Sequence, residues 1–494
     1  MPSTNPTEDP VNAAPQGGQF SIRKTAEEDK IPIHEKGLFG LGNQSIMLVN
    51  HVIENQLQQV LVYGMHMSPA WNTLIIMTFR IWDALIDPFI GWFSDNTRTR
   101  WGRRRPFMLM GCILMAALLP FVWRFNENWN LIYIALWITL FGMIISTAAS
   151  IFNVPYQALK MEMTPDYNER TSLNVYIMVI SSLFTILIAP WVWKMTQLPL
   201  FTGQEAGEEP NTLIGIRNLS VVFGGLALLL GLIALSVSKE RYYKTASHQK
   251  KEKLISTIRL TFKSKPFRLL LGIIFVSHIE GLVLGMGGYL SVYYVFGGDK
   301  IQAATVMGWA GTIGGFTGLF SAPLIGLVAK RIGKERALLI VTLADVLITL
   351  SILVCYNPNW PWLSIVPGIL NGLVVGAFWV IVPSMQADVV DEDELRTGER
   401  REGSFLAILA WALRLVLTVS AGMAGIIVLL LGFRIELETN QAEGVFRNLK
   451  VFMALVPAVF GVAQFFLVMK WPLPAQRMAD IRAALEDRRG RINT

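Results

Sequence analysis

Three ionisable residues, Arg80, Asp83 and Asp87, lie within an apolar segment of the chain, RIWDALIDPFIGWF. Their spacing of three and then four residues places all three on one face of an α-helix. The run from Asn72 to Phe93 is long enough to cross the hydrocarbon core of a bilayer. A charge near the bilayer centre costs about 2.5–3.5 kcal/mol on insertion scales, so we expect this face to meet a polar cavity. The pattern favours a membrane transporter.

Two carboxylates one helical turn apart do not easily hold two negative charges in a medium of low dielectric constant. One of them therefore tends to take up a proton or a metal cation. We predict that Asp83 and Asp87 bind a coupling cation, with Ser150 and Asn153 as further candidate ligands. The alternative is a structural ion-pair network with Arg80 that only fixes the packing of the helices.

The composition places the chain in the membrane. Of 494 residues 52% are hydrophobic and 16% are charged, and the mean hydropathy is +0.44. Soluble proteins carry roughly 25% charged residues. The net charge of +7 comes from cations between apolar runs, so we assign it to topology and to the lipid surface rather than to nucleic acid. No nucleophile–base set or phosphate loop points to an enzyme, and no cofactor is expected apart from the coupling cation.

Twelve apolar runs are long enough to be transmembrane spans, and we predict an all-α membrane protein with two halves of six helices each. The cations lie in alternate loops, so both termini are expected in the cytoplasm of a bacterial inner-membrane protein, which we expect to be monomeric. The predicted organisation is a flexible cytoplasmic tail 1–40, a first half 41–237, a cytoplasmic linker 238–266, a second half 267–471 and a cytoplasmic tail 472–494.

The two halves repeat one another. The segment DPFIGWFSD from Asp87 corresponds to APLIGLVAK from Ala322, and each is followed by a glycine and a basic turn, at Gly102 and Gly333. Two such halves are typical of the major facilitator fold, in which the substrate binds between them. Because Ala322 replaces Asp87, the ionisable residues are concentrated in the first half.

Two longer segments resemble the glycoside–pentoside–hexuronide:cation symporter family, to which melibiose permease belongs. They are RIWDALIDPFIGWFSDNTRTRWGRRRP from Arg80 and DVVDEDELRTGERREG from Asp388, and the resemblance extends over most of the chain. It implies that Asp83 and Asp87 form the cation site near Arg80. It also implies that the substrate is a sugar.

Some positions depart from that family. Asn153 and Ile86 stand where melibiose permease has a carboxylate and an amide, and Gln44 replaces a sugar-binding Asp. Arg414 matches the family's Lys on the eleventh span, and Trp379 matches a Trp that contacts sugar. Sodium needs several oxygen ligands whereas a proton needs one carboxylate. Proton coupling is therefore favoured, with sodium as the alternative.

Two sets of candidate residues follow, one for substrate contacts and one for a cytoplasmic gate. Polar groups on the first span serve either a sugar path or contacts between helices. The predicted substrate contacts are Gln44, Glu54, Gln58, Arg80, Tyr156, Gln157, Trp379 and Arg414. Charge clusters at the cytoplasmic ends are expected to hold that side shut in the outward-open state, besides anchoring the loops. The predicted gate consists of Asp95, Arg98, Arg103, Arg104, Arg105, Asp391 and Arg396.

We therefore expect a secondary active transporter that imports a glycoside, pentose or hexuronide by symport with a cation through alternating access. One alternative is an uncoupled facilitator, or a carrier of a non-sugar solute such as a lipid. Another is a membrane sensor that moves no solute.

Overall fold

The computed structural model describes residues 30–164, 167–204, 210–238, 261–279, 281–398 and 402–489. Most of the predicted N-terminal tail and of the predicted linker lies outside these residues. The described residues form helices joined by short loops and contain no β-strand. Ten helices among them are long and apolar enough to cross a membrane, and α1 and α2, which carry the ionisable residues, are not among those ten. The all-α membrane fold is confirmed, and the helix count is consistent with twelve spans.

The helices are numbered here in chain order, and several continue as short helical turns. Their bounds are α1 Ile33–Leu57, α2 Pro69–Asn96, α3 Arg105–Val122, α4 Leu131–Glu162, α5 Tyr167–Leu187, α6 Thr212–Val237, α7 Lys265–His278, α8 Lys300–Ile332, α9 Lys334–Cys355, α10 Ile365–Thr397, α11 Glu402–Leu430, α12 Val445–Met469 and α13 Ala475–Arg489. A π-helical segment, Gln58–Gly64, extends α1.

The internal repeat is visible in the local geometry. Pro88 and Pro323, which correspond in sequence, both lie inside helices, in α2 and α8. The turns that follow contain Gly102 and Gly333, whose φ angles are 103° and 91°. Residues with a side chain rarely adopt such angles, so glycine suits both turns. The two halves therefore share one helix–turn–helix design at this end of the molecule.

The buried apolar residues form three clusters, one within each half and one between them. The third cluster joins Tyr63 and Trp193 of the first half to Tyr289, Tyr293 and Phe433 of the second. We call the end of the molecule that contains this cluster the sealed end. The opposite end, next to the turns at Gly102 and Gly333, is called the basic end.

The halves separate from the sealed end toward the basic end. At the sealed end Thr73 of α2 is 1% exposed and accepts a hydrogen bond from the backbone N–H of Gly425 in α11. Farther along the same two helices, the Arg414 guanidinium lies 4.0 Å from Asp87, yet its side chain is 77% exposed. Trp379 of α10 is also half exposed. The space between the halves is therefore open toward the basic end.

Candidate functional site

The two carboxylates of α2 are paired with two hydroxyl groups of α4. Ser146 donates a hydrogen bond to Asp83, and the Ser150 hydroxyl donates one of 2.6 Å to Asp87. The two carboxylates are four residues apart on α2 and the two hydroxyls are four apart on α4, so the two hydrogen-bonded pairs lie one helical turn from each other. A hydroxyl that donates its proton keeps lone pairs, so each Asp–Ser pair presents oxygen atoms that suit a hard cation. Ser146 was not predicted, although it precedes Ser150 by the same spacing that separates the two carboxylates.

Asn153 and Gln157 continue this face of α4 toward the basic end. The side chain of Asn153 is partly exposed, and its amide oxygen lies 3.4 Å from the Gln157 amide nitrogen. Gln157 is exposed. These amides lie along the wall of the space between the halves and are available to a polar solute.

Arg80 lies on the predicted face of α2 but has a different partner from those expected. Its guanidinium forms an ion pair of 2.5 Å with Glu54 of α1. A cation of the second half, Arg414, lies at 4.0 Å from Asp87. Of the two α2 carboxylates, Asp87 is therefore the one paired with a cation of the other half, whereas Arg80 and Glu54 neutralise each other within the first half.

Two predicted substrate contacts lie away from the open space. Tyr156 is fully buried, stacks on Phe39 with ring centroids 4.6 Å apart, and donates a hydrogen bond to the Phe39 carbonyl. Its position indicates a packing role between α1 and α4. Gln58 donates to the Tyr63 hydroxyl at 2.5 Å and to the Gly285 carbonyl at 2.9 Å, which places it at the sealed end.

Gln44 is also buried, and it donates a hydrogen bond of 2.9 Å to the hydroxyl of Ser181 on α5. Ser181 and Trp379 line a cavity of about 800 Å³ between α5, the segment that follows α7, and helices α8, α9, α10 and α12. Gln44 therefore stands one hydrogen bond behind the cavity wall, whereas Trp379 reaches the cavity directly. The described lining residues include serines, threonines and Asn371 and carry no charged side chain.

At the basic end of the first half, the arginines after Gly102 form ion pairs with acids of their own half. Arg103 and Arg104 lie 2.6 and 2.9 Å from Glu162 at the end of α4, and Arg104 lies 3.4 Å from Asp95. Glu162 was not predicted. Arg98 is exposed and Arg105 is partly buried at the start of α3.

The second half repeats this arrangement. Lys334, which follows Gly333 as Arg103 follows Gly102, lies 2.5 Å from Asp388 near the end of α10, and Arg482 of α13 lies 3.1 Å from the same carboxylate. Arg396 pairs with Asp393 at 2.8 Å, and Asp391 is partly buried on the same helix segment. These pairs join residues of one half, so a latch between the halves remains a prediction for the state closed at this end.

A family model described as "MFS/sugar transport protein" matches residues 38–475. The glucuronide carrier protein homolog of Escherichia coli (strain K12) is 23% identical over 85% of this chain and 88% of its own. The sodium-dependent lysophosphatidylcholine symporter 1 of Xenopus tropicalis is 22% identical over 92% of this chain and 90% of its own.

Two solved structures show the same fold. The crystal structure of a D-xylose–proton symporter has a TM-score of 0.56 at 14% identity and covers 89% of this chain and 96% of its own. A bacterial homolog of the human lysosomal transporter Spinster, in an inward-facing and unoccupied conformation, has a TM-score of 0.60 at 14% identity and covers 92% of this chain and 99% of its own. At these identities the likeness concerns the fold alone.

Proposed function

The chain belongs to the MFS/sugar transport family, and on that premise we propose that this membrane transporter couples the uptake of a sugar to that of a cation. The proposed substrate class is a glycoside, a pentose or a hexuronide, and the proposed mechanism is alternating access. The proposal depends above all on Asp83 and Asp87, which are paired with Ser146 and Ser150 beside the cation Arg414. The E. coli relative named as a glucuronide carrier homolog supports this substrate class.

In the proposed cycle the coupling cation competes with Arg414 for Asp87. Binding of the cation removes an ion pair between the halves, and the substrate then binds among the exposed side chains of α4, α10 and α11. The halves rock to open the other side. By the positive-inside rule we place the basic end in the cytoplasm of a bacterial inner membrane, so this structure corresponds to an inward-open state.

The identity of the coupling cation belongs to the same proposal. A proton remains the favoured ion because it needs one carboxylate only. The hydroxyl of Ser146 adds an oxygen atom to the set, which supports the sodium alternative more than the sequence did. One relative is named as a sodium-dependent symporter.

A lipid with one acyl chain is the second candidate substrate. The observation that favours it is the cavity of about 800 Å³, whose described lining is rich in glycine and aliphatic side chains and carries no charge. The apolar part of this lining suits a hydrocarbon chain, whereas its serines, threonines and Asn371 are polar groups that equally suit a sugar. One relative is named as a lysophosphatidylcholine symporter.

Uptake into proteoliposomes tests these proposals. A labelled glucuronide, a labelled pentose and labelled lysophosphatidylcholine are offered under a proton gradient alone and then a sodium gradient alone. We expect one of the sugars to accumulate under one gradient. Accumulation of the lipid alone would replace the sugar proposal by the second candidate, and uptake that neither gradient affects would indicate a facilitator.

The substitution Asp87→Asn tests the cation site in the same vesicles. We expect it to abolish accumulation against a gradient while exchange of substrate across the membrane persists, because the neutral amide neither takes up a proton nor balances the charge of a metal cation. The matched control is Asp480→Asn on α13, where the carboxylate is exposed. Accumulation by Asp87→Asn at the level of the control would show that Asp87 is not the coupling residue.

A further inference from the structure

At the sealed end, larger groups of the first half contact the second half at glycines. A Cβ atom at Gly425 of α11 would lie 2.4 Å from the Pro69 carbonyl oxygen. One at Gly288, beyond α7, would lie 2.3 Å from the Tyr63 hydroxyl oxygen, and one at Gly315 of α8 would lie 2.5 Å from Ile186. We call these three contacts the glycine seam. The seam joins α2 with α11, the π-helical extension of α1 with the segment that follows α7, and α5 with α8.

Hydrogen bonds cross the same boundary. The Gln58 amide donates to the Gly285 carbonyl at 2.9 Å, and the Trp191 indole N–H donates to the Thr312 hydroxyl at 2.9 Å. The Gly425 N–H donates to Thr73. The hydrogen bonds and the glycine contacts lie on the same boundary, so a movement that parts the halves here breaks both.

We infer that the glycine seam is the gate that closes the sealed end, and that its missing side chains set the balance between the two access states. A methyl group added at the seam clashes only when the halves meet at this end. It therefore penalises this state and leaves the opposite state, in which the halves part here, without penalty. The inference depends on the alternating-access fold and not on which substrate or cation is carried.

Glycines within one half provide the contrast. A Cβ atom at Gly372 of α10 would lie 1.9 Å from the Gly314 carbonyl oxygen of α8, in the same half. Helices α8 and α10 stay together in both access states, so a methyl group here is expected to disturb folding rather than the balance of states. A glycine-to-alanine change is thus expected to shift the balance of access states at the seam and to disturb folding within one half.

A cysteine reporter measures the opening of the seam. In a background that carries Cys112→Ala and Cys355→Ala, the reporter is Thr312→Cys, at a position 8% exposed on the α5–α8 side. This change removes the hydroxyl that accepts from Trp191, so every rate is compared with a parent that carries the same reporter. The purified protein in detergent is treated with a hydrophilic maleimide, so no membrane orientation has to be known. For Gly425→Ala we expect about a tenfold rise in the labelling rate, the population change that an overpacking cost of about 1.4 kcal/mol produces.

Two alanine variants serve as matched controls. Gly422 is three residues from Gly425 on α11, but its added Cβ would meet the flexible side chain of Met77 instead of backbone. Gly326 of α8 has open space around it. We expect Gly326→Ala to label at the parent rate, and Gly422→Ala to lie closer to the parent than to Gly425→Ala.

A folded Gly425→Ala protein that labels at the parent rate would overturn the inference. If Gly425→Ala does not yield a monodisperse protein, Gly288→Ala tests the separate contact with Tyr63 in the same assay. If neither variant folds while Gly326→Ala does, the seam is needed for folding in every state, and the inference is wrong.

Discussion

The ion pair between Asp87 and Arg414 leads to a prediction whose size follows from the structure. If Arg414 competes with the coupling cation for Asp87, then Arg414→Gln should increase the affinity of the carrier for that cation. Arg414→Lys keeps the charge and should stay close to the parent. The Arg80–Glu54 pair is unaffected, because its two partners both lie in the first half.

The expected magnitude comes from the distance and the exposure. Two unit charges 4 Å apart attract each other by about 1 kcal/mol in water and about 4 kcal/mol at an effective dielectric constant of 20. The Arg414 side chain is 77% exposed, at 4.0 Å from Asp87, so the value in water is the appropriate one. An energy of about 1 kcal/mol corresponds to about a fivefold change in affinity.

The assay is the initial rate of uptake as a function of the concentration of the coupling cation, for the substrate that proves active. Arg414→Gln should lower the half-saturating cation concentration about fivefold relative to the parent. Added salt should reduce the difference, because an exposed pair is screened. A half-saturating concentration that is unchanged or raised in Arg414→Gln, with Arg414→Lys like the parent, would refute the competition.

Two further predictions concern contacts that the sequence did not suggest. The Asp388 side chain is 2% exposed and forms ion pairs with Lys334 and Arg482. Asp388→Asn should lower the free energy of unfolding by about 2–3 kcal/mol, because two charge-assisted bonds weaken while both cations keep access to water. A Tm in detergent equal to that of Asp480→Asn would contradict this. Ser146→Ala should change the half-saturating cation concentration about fivefold, the effect of about 1 kcal/mol from one hydrogen bond: upward for sodium, which loses an oxygen ligand, and downward for a proton, because the lost bond stabilised the ionised carboxylate. Thr139→Ala on the same helix should not change it.

The fold could be predicted because its signals are local. Hydropathy marks the spans, and the repeated segments from Asp87 and Ala322 reveal two related halves. The relation extends to the paired turns at Gly102 and Gly333, where both glycines have positive φ angles. None of these signals requires knowledge of how one helix is rotated against its neighbours.

The partners of individual side chains depend on how each helix is rotated against its neighbours, and this rotation could not be predicted from the sequence. Helical periodicity correctly placed Arg80 on the face of Asp83 and Asp87, but it could not show that Glu54 of α1 reaches Arg80. It also could not show that Tyr156 faces the core of the first half. A residue spacing defines a face of a helix, and only packing decides what that face meets.

The glycines of α8 show the same limit. The stretch GWAGTIGGFTGLF contains two overlapping pairs of glycines four residues apart, which predict close contact between helices. In the structure Gly314 contacts α10 within the second half, whereas Gly315 contacts Ile186 across the seam. Neighbouring glycines thus serve permanent packing and the closed gate, and the sequence pattern does not distinguish these uses.

Helices α2 and α11 connect the cation site to the gate. At one end of their contact, Gly422 and Gly425 of α11 meet Met77 and the Pro69 backbone of α2. Asp87, which faces Arg414, lies ten residues beyond Met77 on α2, a distance of about 15 Å along the helix.

A cation that draws Asp87 away from Arg414 thus acts on the pair of rigid helices that closes the sealed end. Cation binding at Asp87 and closure at the glycine seam both change the energy of the α2–α11 interface, at different positions along it. Coupling between ion binding and access therefore needs no further structural element. A carrier built in this way should respond to Arg414→Gln and to Gly425→Ala through the same equilibrium. In the double variant the two free-energy changes should therefore add, so the labelling rate of the Thr312→Cys reporter should change by the product of the two single factors.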